Sequence, residues 1–573
     1  MSYVIVLSLD FTPTLISTMQ TKNYFSKTTA PKTESSIWPD LVTWFFLGLF
    51  MFGLGAGGTA LWDQDEPNNS VAIREMNARG DWIVPTFNGG LRTDKPILNY
   101  WLMKAGTAVF GMNELGLRAG SVLCGALIVV LAGWWADKLY GRYAGWGAAL
   151  VLSTILHHQA IFRAAVPDPV FILFVNICLL SFLSGYIWPD HRNKWYLTAY
   201  ISAGLAVLAK GPIGVLLPGL IIVVFLLLRR DLPHIWRSTR PVLGFFLFAA
   251  VVLPWYGAVW LATDGAWVKG FIFDHNINRY TDSKEGHSGP LFYYLITLPL
   301  ALLPWSAVLV QSLAAPVKQL RHSSKMEPPI LFFLVWAMVW IAFFSSSGTK
   351  LPNYIIPAYS PLALLIGIRL ARAWNKDDPL SVKGLRAGAV FLGVVGFLLS
   401  VTGALILPRE LPGLRAMPEL GLPYLAASVF LFIRPFLYPA VKALFLSAIA
   451  VMLLLIWNIK SVDELKVSRR FGHIIHAEAG DRPYTLAYSS RFQPSFLYYG
   501  GTRIKKLDGP AGTVRLLAGE GTDEKRDEKT VFIILKEEDL ASLKEKGVPF
   551  RVLAKGYDMY ARKSLTLITN KIE

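Results

Sequence analysis

Apolar residues in this chain come in long unbroken blocks separated by short polar segments, rather than alternating or recurring singly at helical spacing. FFLGLFMFGLGAG starts at Phe45, VLCGALIVVLAGWW at Val122 and GVLLPGLIIVVFLLL at Gly214. Uncharged apolar runs of about 18 or more residues mark transmembrane helices. The pattern predicts thirteen spans, at 41–61, 117–136, 144–162, 168–187, 195–209, 212–228, 241–262, 290–312, 329–345, 352–370, 387–407, 421–434 and 438–459. The expectation is an all-α polytopic membrane protein.

The character changes at both ends. Residues 1–38 contain Ser, Thr and Lys without helical periodicity and read as a flexible cytoplasmic tail. Residues 39–460 form the transmembrane part, with one long connection at 62–116. Residues 461–573 are charged and turn-rich, with strand-like YTLAYS, FLYYGG and VFIILK followed by helix-like EEDLASLKEKG. Alternating strand and helix signals predict a small α/β domain outside the membrane. No internal repeat of fixed period is found.

Composition agrees with the blocks. Of 573 residues 53% are hydrophobic and 17% charged, against about 25% charged in average soluble domains. The two cysteines, Cys124 and Cys178, lie inside apolar blocks, which leaves no disulfide framework or Cys-based metal site. A net charge of +17 would suit nucleic acid, but the distribution excludes it. With the N-terminus in the cytoplasm, the inner loops carry 18 Lys and Arg in 69 residues and the short outer segments 13 in 108. This is the positive-inside bias of a membrane protein, and it puts the C-terminal domain outside.

In that topology every unusual polar cluster falls on the outer face. The loop at 62–116 is far longer than a simple connection. It carries Asp63, Asp65 and Glu66 at the end of a span, then TDKPILNYW. Further outer segments bring Arg163 and Asp168 in RAAVPDP, Lys210 in AKGP, DHNINRY at 274–280, and SSSGTKLPNY at 345–354. Ionisable groups at membrane depth are costly and usually functional. Taken singly each could be a helix cap or an interface anchor; acids, cations and tyrosines converging on one surface favour a site. Crowding of Asp63, Asp65 and Glu66 predicts that repulsion raises the pKa of one of them.

The order DQDEP, REM, GDWIVP, a KP dipeptide followed by YW, and a later KLPNYIIP resembles the integral-membrane glycosyltransferases of the 4-amino-4-deoxy-L-arabinose (lipid A) transferase family. Protein O-mannosyltransferases are more distant relatives. The resemblance implies a GT-C fold of about thirteen helices, a periplasm-facing active site and a polyprenyl-phosphate sugar donor. By the same resemblance, Asp65 is the catalytic carboxylate, with Asp168 and Glu66 as further acids. Lys95, Arg279, Lys210 and Tyr354 are its donor-phosphate ligands; Lys350 is either a further phosphate contact or an interfacial anchor to lipid. Glu66 orients rather than performs the chemistry, and Asp63 either shares a proton with Asp65 or caps the loop. No cofactor is implied for catalysis; a structural zinc on Asp94 and His275 is an expectation of the resemblance. One stretch departs from the family pattern: DEGRYAEIAREM is usual, and this chain reads DEPNNSVAIREM, so the donor sugar is left open.

The implied function is an inner-membrane glycosyltransferase, inverting, that moves a sugar from undecaprenyl phosphate to a periplasmic acceptor. That acceptor would be a lipid A phosphate or another envelope glycan, with a protein acceptor as the alternative within the class. Its other partners are membrane lipids; nucleic acid is excluded. A transporter or flippase would instead show broken helices, repeat symmetry and mid-span charges. A scaffold would make the outer carboxylates dispensable.

Overall fold

The computed structural model describes residues 36–272, 289–490, 492–501, 503–518 and 530–572. The chain divides into two units, Met1–Thr43 and Trp44–Glu573. The tail expected at 1–38 falls almost wholly outside the described residues. The helix Trp38–Gly53 crosses the unit boundary and is shorter than the span predicted at 41–61. Its end is set by GLGAGG, in which Gly55 has φ +81°, a conformation side-chain-bearing residues resist.

Most other predicted spans are helices close to their predicted bounds. Among the described residues seven are long and apolar enough to cross a membrane: Glu114–Tyr140, Asp168–Ile187, Pro241–Ala262, Pro328–Ser346, Pro352–Trp374, Val382–Glu410 and Leu437–Asp463. Three shorter apolar helices, Trp38–Gly53, Ile213–Arg229 and Pro418–Ile433, fall below that length. Two further expectations need correcting. The span at 144–162 is two helices, Arg142–Thr154 and Leu156–Ile161, interrupted at Ile155. The span at 290–312 is a broken pair, Tyr293–Ala301 and Ser306–Lys325, bent by 119°. Pro299 precedes that break and Pro304 lies within it, and each removes a backbone donor that a continuous helix would use.

The connection at 62–116 is itself folded. It contains the helices Asp65–Ala78 and Leu98–Phe110 and a hairpin of β1 (Thr86–Phe87) and β2 (Gly90–Leu91). Asn88 and Gly89 make the hairpin turn, both at positive φ, as a two-residue turn of this kind requires.

The last hundred residues build a five-stranded mixed sheet from β3 (Tyr484–Tyr488), β4 (Ile504–Lys506), β5 (Thr530–Lys536), β6 (Arg551–Asp558) and β7 (Lys563–Thr569), in the order β4-β3-β5-β7-β6. The first three strands pair in parallel and the last two join antiparallel. YTLAYS and VFIILK are strands as expected, and the helix Asp539–Glu545 follows. FLYYGG is not a strand: Pro494–Tyr499 is a helix, started by a proline at its first position and burying Phe496 and Leu497.

The sheet domain and the first loop are bonded together. Asn88 of the hairpin donates to the Ile504 carbonyl and accepts from the Ile504 amide, both at 3.1 Å. The Asp63 carboxylate takes the Ser495 amide at 3.1 Å and its hydroxyl at 2.5 Å. Leu61 donates to the Tyr499 hydroxyl at 2.9 Å. The loop at 62–116 and the C-terminal sheet therefore lie on the same side of the helical part.

Candidate active site

The Asp65–Ala78 helix begins at Asp65 itself, with Gln64 preceding it and giving no side-chain cap. Asp65 is exposed at this helix start. Glu66, one residue on, is buried and receives four donors. Arg118 Nε and Nη2 reach it at 2.7 and 2.6 Å, the Ala165 amide at 2.6 Å and the Trp62 amide at 2.8 Å. The same guanidinium also bonds the carbonyls of Ala56, Thr59 and Ala60. Arg118 and Glu66 thus staple the glycine-rich turn after the first helix to the start of the Asp65 helix. Glu66 has no oxygen left for proton transfer and belongs to the positioning of Asp65.

The raised carboxyl in this group is Asp63, pushed up to about 6. Its main cause is burial, opposed by the Ser495 hydrogen bonds, with the charge of Asp558 adding to the rise. Repulsion within the acid cluster was the expected cause; enclosure by the sheet domain is the actual one.

Asp168 and Lys210 are brought together by matched helix lengths. Asp168–Ile187 has 20 residues and Arg192–Lys210 has 19, joined by a short turn. The start of one therefore lies beside the end of the other, and Lys210 Nζ donates to Asp168 Oδ1 at 2.6 Å. Each charge also suits its own helix terminus. Gly211, at φ +87°, ends the second helix immediately after Lys210. Lys210 Nζ lies 5.4 Å from the Phe171 ring centroid and 5.8 Å from that of Tyr354. Tyr354 is fixed by its carbonyl, which accepts from Trp340 Nε1 at 2.9 Å, and by its ring, 5.0 Å from Phe344. Lys350 is buried and turned inward, donating to the Ser347 carbonyl at 2.6 Å.

The Asp65 and Asp168 neighbourhoods are joined through the short segment before Asp168. Asn69, on the Asp65 helix, donates to the Ala165 carbonyl at 3.0 Å, and Ala165 donates to Glu66. Lys95 sits half-buried in the turn that leads to the Leu98–Phe110 helix. Two residues from it Ile97, together with Ala72 and Ile73 of the Asp65 helix, Ala165 and Leu208, belongs to one buried apolar cluster. That shared core packs the Asp65 helix against the helix that follows Lys95, the segment before Asp168 and the helix that ends at Lys210. Arg279 and His275 lie outside the described residues.

Four side chains of this arrangement were not anticipated: Arg118, Arg92, Asn69 and Tyr100. Arg92 is buried, pairs with Asp94 at 2.9 Å and donates to the Tyr100 hydroxyl at 2.9 Å. Burial opposes its charge, but Tyr100, then Asp94 and last Asp65 hold the guanidinium above its usual range. An arginine inside an apolar span, as in ELGLRAGSVLC, is itself a signal of a buried partner; Tyr100 is the tyrosine of the YW that follows the KP dipeptide, and nothing local marks Arg92 or Asn69. Among the described residues, no group of three or more His, Cys, Asp or Glu gathers to hold a metal.

Residues 94–260 match the family described as dolichyl-phosphate-mannose-protein mannosyltransferase. A relative named undecaprenyl phosphate-alpha-4-amino-4-deoxy-L-arabinose arabinosyl transferase, from Pseudomonas paraeruginosa, is 33% identical over 355 residues, 60% of this chain and 62% of the relative. One of the same name from Edwardsiella ictaluri is 29% identical over 350 residues, again 60% and 62%. The matched stretch thus spans a little under two thirds of these relatives' length. The crystal structure of ArnT from Cupriavidus metallidurans bound to undecaprenyl phosphate superposes with a TM-score of 0.75 at 20% identity, covering 94% of this chain and 99% of that one. Its apo state gives 0.73. The resemblance carried by the motifs is borne out, and the fold is that of these GT-C membrane proteins.

Proposed function

We propose that this chain is a polyprenyl-phosphate-dependent glycosyltransferase of the bacterial inner membrane, moving a sugar from undecaprenyl phosphate to an acceptor on the periplasmic side. The single observation that carries it is that one multi-pass membrane protein presents an exposed carboxylate, Asp65, at a helix start and a cation, Lys210, held at the end of a helix by Asp168 and beside two rings. Displacing a lipid phosphate from a sugar C1 needs those two things: a group to take the acceptor's proton, and positive charge where phosphate departs. In this reading the acceptor oxygen attacks C1 as its proton passes to Asp65. The C1–O bond to phosphate breaks with inversion, and undecaprenyl phosphate leaves with its new charge against Lys210 and Lys95. Tyr354 and Arg279 complete the phosphate pocket; Glu66 and Asp63 hold the Asp65 helix. Lys350 enters only if its bond to Ser347 is exchanged for phosphate.

The relatives' names favour 4-amino-4-deoxy-L-arabinose as the sugar, and a lipid A phosphate suits the acceptor. The domain reading is a cytoplasmic tail at 1–38, a thirteen-span transferase part at 39–460 and a periplasmic α/β domain at 461–573. The bonds joining the first loop to the sheet domain support a shared periplasmic side. A zinc on Asp94 and His275 fits poorly, since Asp94 is paired with Arg92 and two ligands make an incomplete set; no step runs through it. The broken helix pair near 302 is a feature transporters share, but the ionisable cluster sits at one end of the spans rather than midway.

The test is mass spectrometry of envelope lipids and glycans from cells with and without the gene, with transfer reconstituted from undecaprenyl-phosphate-linked sugar in nanodiscs. A glycosylated species that vanishes with the gene and reappears in the nanodiscs supports the reading. Unchanged glycans, with lipid movement altered instead, would overturn it.

A further inference from the structure

The REM arginine, Arg74, has no part in the chemistry above. It stands nine residues after Asp65 on one helix, which at 100° per residue turns it about half a revolution away. It opens instead into a cavity of about 300 Å³ between the first loop and the sheet domain, lined by Arg74, Met112, Glu114, Arg469, His473 and His476. Arg74 is largely buried, and its one hydrogen bond to a described residue is from Nη1 to the Tyr498 carbonyl at 2.8 Å. Burial lowers its affinity for its proton, with only Glu75 and two tyrosines opposing. Glu75 is engaged elsewhere, accepting from the Thr86 hydroxyl and the Gly89 amide. The cavity's one acid, Glu114, takes the Tyr499 hydroxyl at 2.9 Å and lies 3.6 Å from Arg469. Two guanidiniums face one carboxylate, with two imidazoles beside them. A sheltered cation with no acid of its own is costly unless an anion is supplied from outside.

The cavity's position says which anion. Glu114 is the first residue of the 27-residue span Glu114–Tyr140, so the site lies at the level where the chain enters the membrane. Phe110, Met112 and Leu115, around that helix start, are exposed apolar side chains. Guanidiniums inside and an apolar rim outside match an amphiphile: phosphate within, acyl chains along the rim.

We infer that this cavity binds the phosphate of a membrane-lipid head group, at a site on the opposite face of the Asp65 helix from the proposed reaction centre. Binding does not depend on the transferase reading, so the test uses binding alone. Full-length protein in neutral detergent is titrated with short-chain phosphatidic acid, with phosphatidylcholine of equal chain length and with inorganic phosphate, and read by native mass spectrometry. Phosphatidic acid should bind at least about tenfold tighter than either of the others, the effect of one charge-assisted contact. Arg74→Gln/Arg469→Gln should abolish that preference, whereas Lys210→Gln, in the donor cluster, should keep it. Arg469→Gln alone changes a part-exposed side chain and, in folded protein, should weaken the preference measurably. Equal binding of inorganic phosphate, or an unchanged preference in both arginine variants, would overturn the inference.

Discussion

Two carboxylate–cation pairs have the same length and different surroundings. Glu66 and Arg118 meet at 2.6 Å with side chains 2% and 1% exposed. Asp168 and Lys210 also meet at 2.6 Å, but with 9% and 18% exposed. The first pair is enclosed by backbone carbonyls and amides that use up its remaining hydrogen-bonding capacity. The second has the rings of Phe171 and Tyr354 beside it and leaves part of Lys210 exposed. A pair with no vacancy fixes a backbone; a lysine whose partner can be exchanged is able to meet a phosphate. Distance alone does not separate scaffold from site, whereas what else each partner touches does.

The largest effect should come from the enclosed pair. Arg118→Ala leaves Glu66 buried and uncompensated, at a cost of about 3–5 kcal/mol, so folded protein recovered by size-exclusion chromatography should fall sharply. Normal yield and thermal stability would show that the pair is not the staple described. Next comes Asp65→Asn, which keeps size and most hydrogen bonding. It should fold and bind undecaprenyl phosphate, yet lose at least about a hundredfold in turnover. Near-normal turnover would remove Asp65 from proton transfer.

On the open pair, Lys210→Ala should weaken use of the donor by roughly tenfold or more at limiting concentration, as expected for one charge-assisted contact. Adding Asp168→Asn should restore any lost stability without restoring donor use; recovery of both would make the pair purely structural. The smallest effect concerns Asp63. Its folded pKa, about 6, lies above the ordinary 3.8, so the folded state takes up its proton first as pH falls. The Asp63 contribution therefore stabilises as pH drops from about 7 through 6 and levels off below the unfolded value. Thermal unfolding of Asp63→Asn should lack that part of the pH dependence. Identical profiles for the two proteins would contradict the burial of Asp63 by the sheet domain.

The sequence was most informative where structure follows from local rules. Asp168–Ile187 starts and ends at its predicted residues because a carboxylate and proline open it and an apolar run fills it. Apolarity overran at 41–61, where repeated glycines stop the helix at Gly53 although the run continues. Aromatic residues misled at 496–499, because Pro494 and the buried face of Phe496 and Leu497 outweigh the strand preference of Tyr and Phe. In the site, residues inside motifs were visible one by one. Their partners were not: Glu66 finds Arg118 across 52 positions, and Asp63 finds Ser495 across 432. Nothing in either local sequence announces the other.

The clamp of Asn88 on Ile504 and of Asp63 on Ser495 also sets an order of manufacture. The two ends of the Asp63 bond are 432 residues apart, and at about 5–20 residues per second the second leaves the ribosome roughly 20–90 s after the first. Throughout that interval the Asp65 helix stands on its Arg118 staple, which is made early, without the sheet domain over it. Only a chain translated past Ile504 has both halves of the clamp, so a shorter nascent or truncated molecule holds Asp65 by one support where the finished one has two.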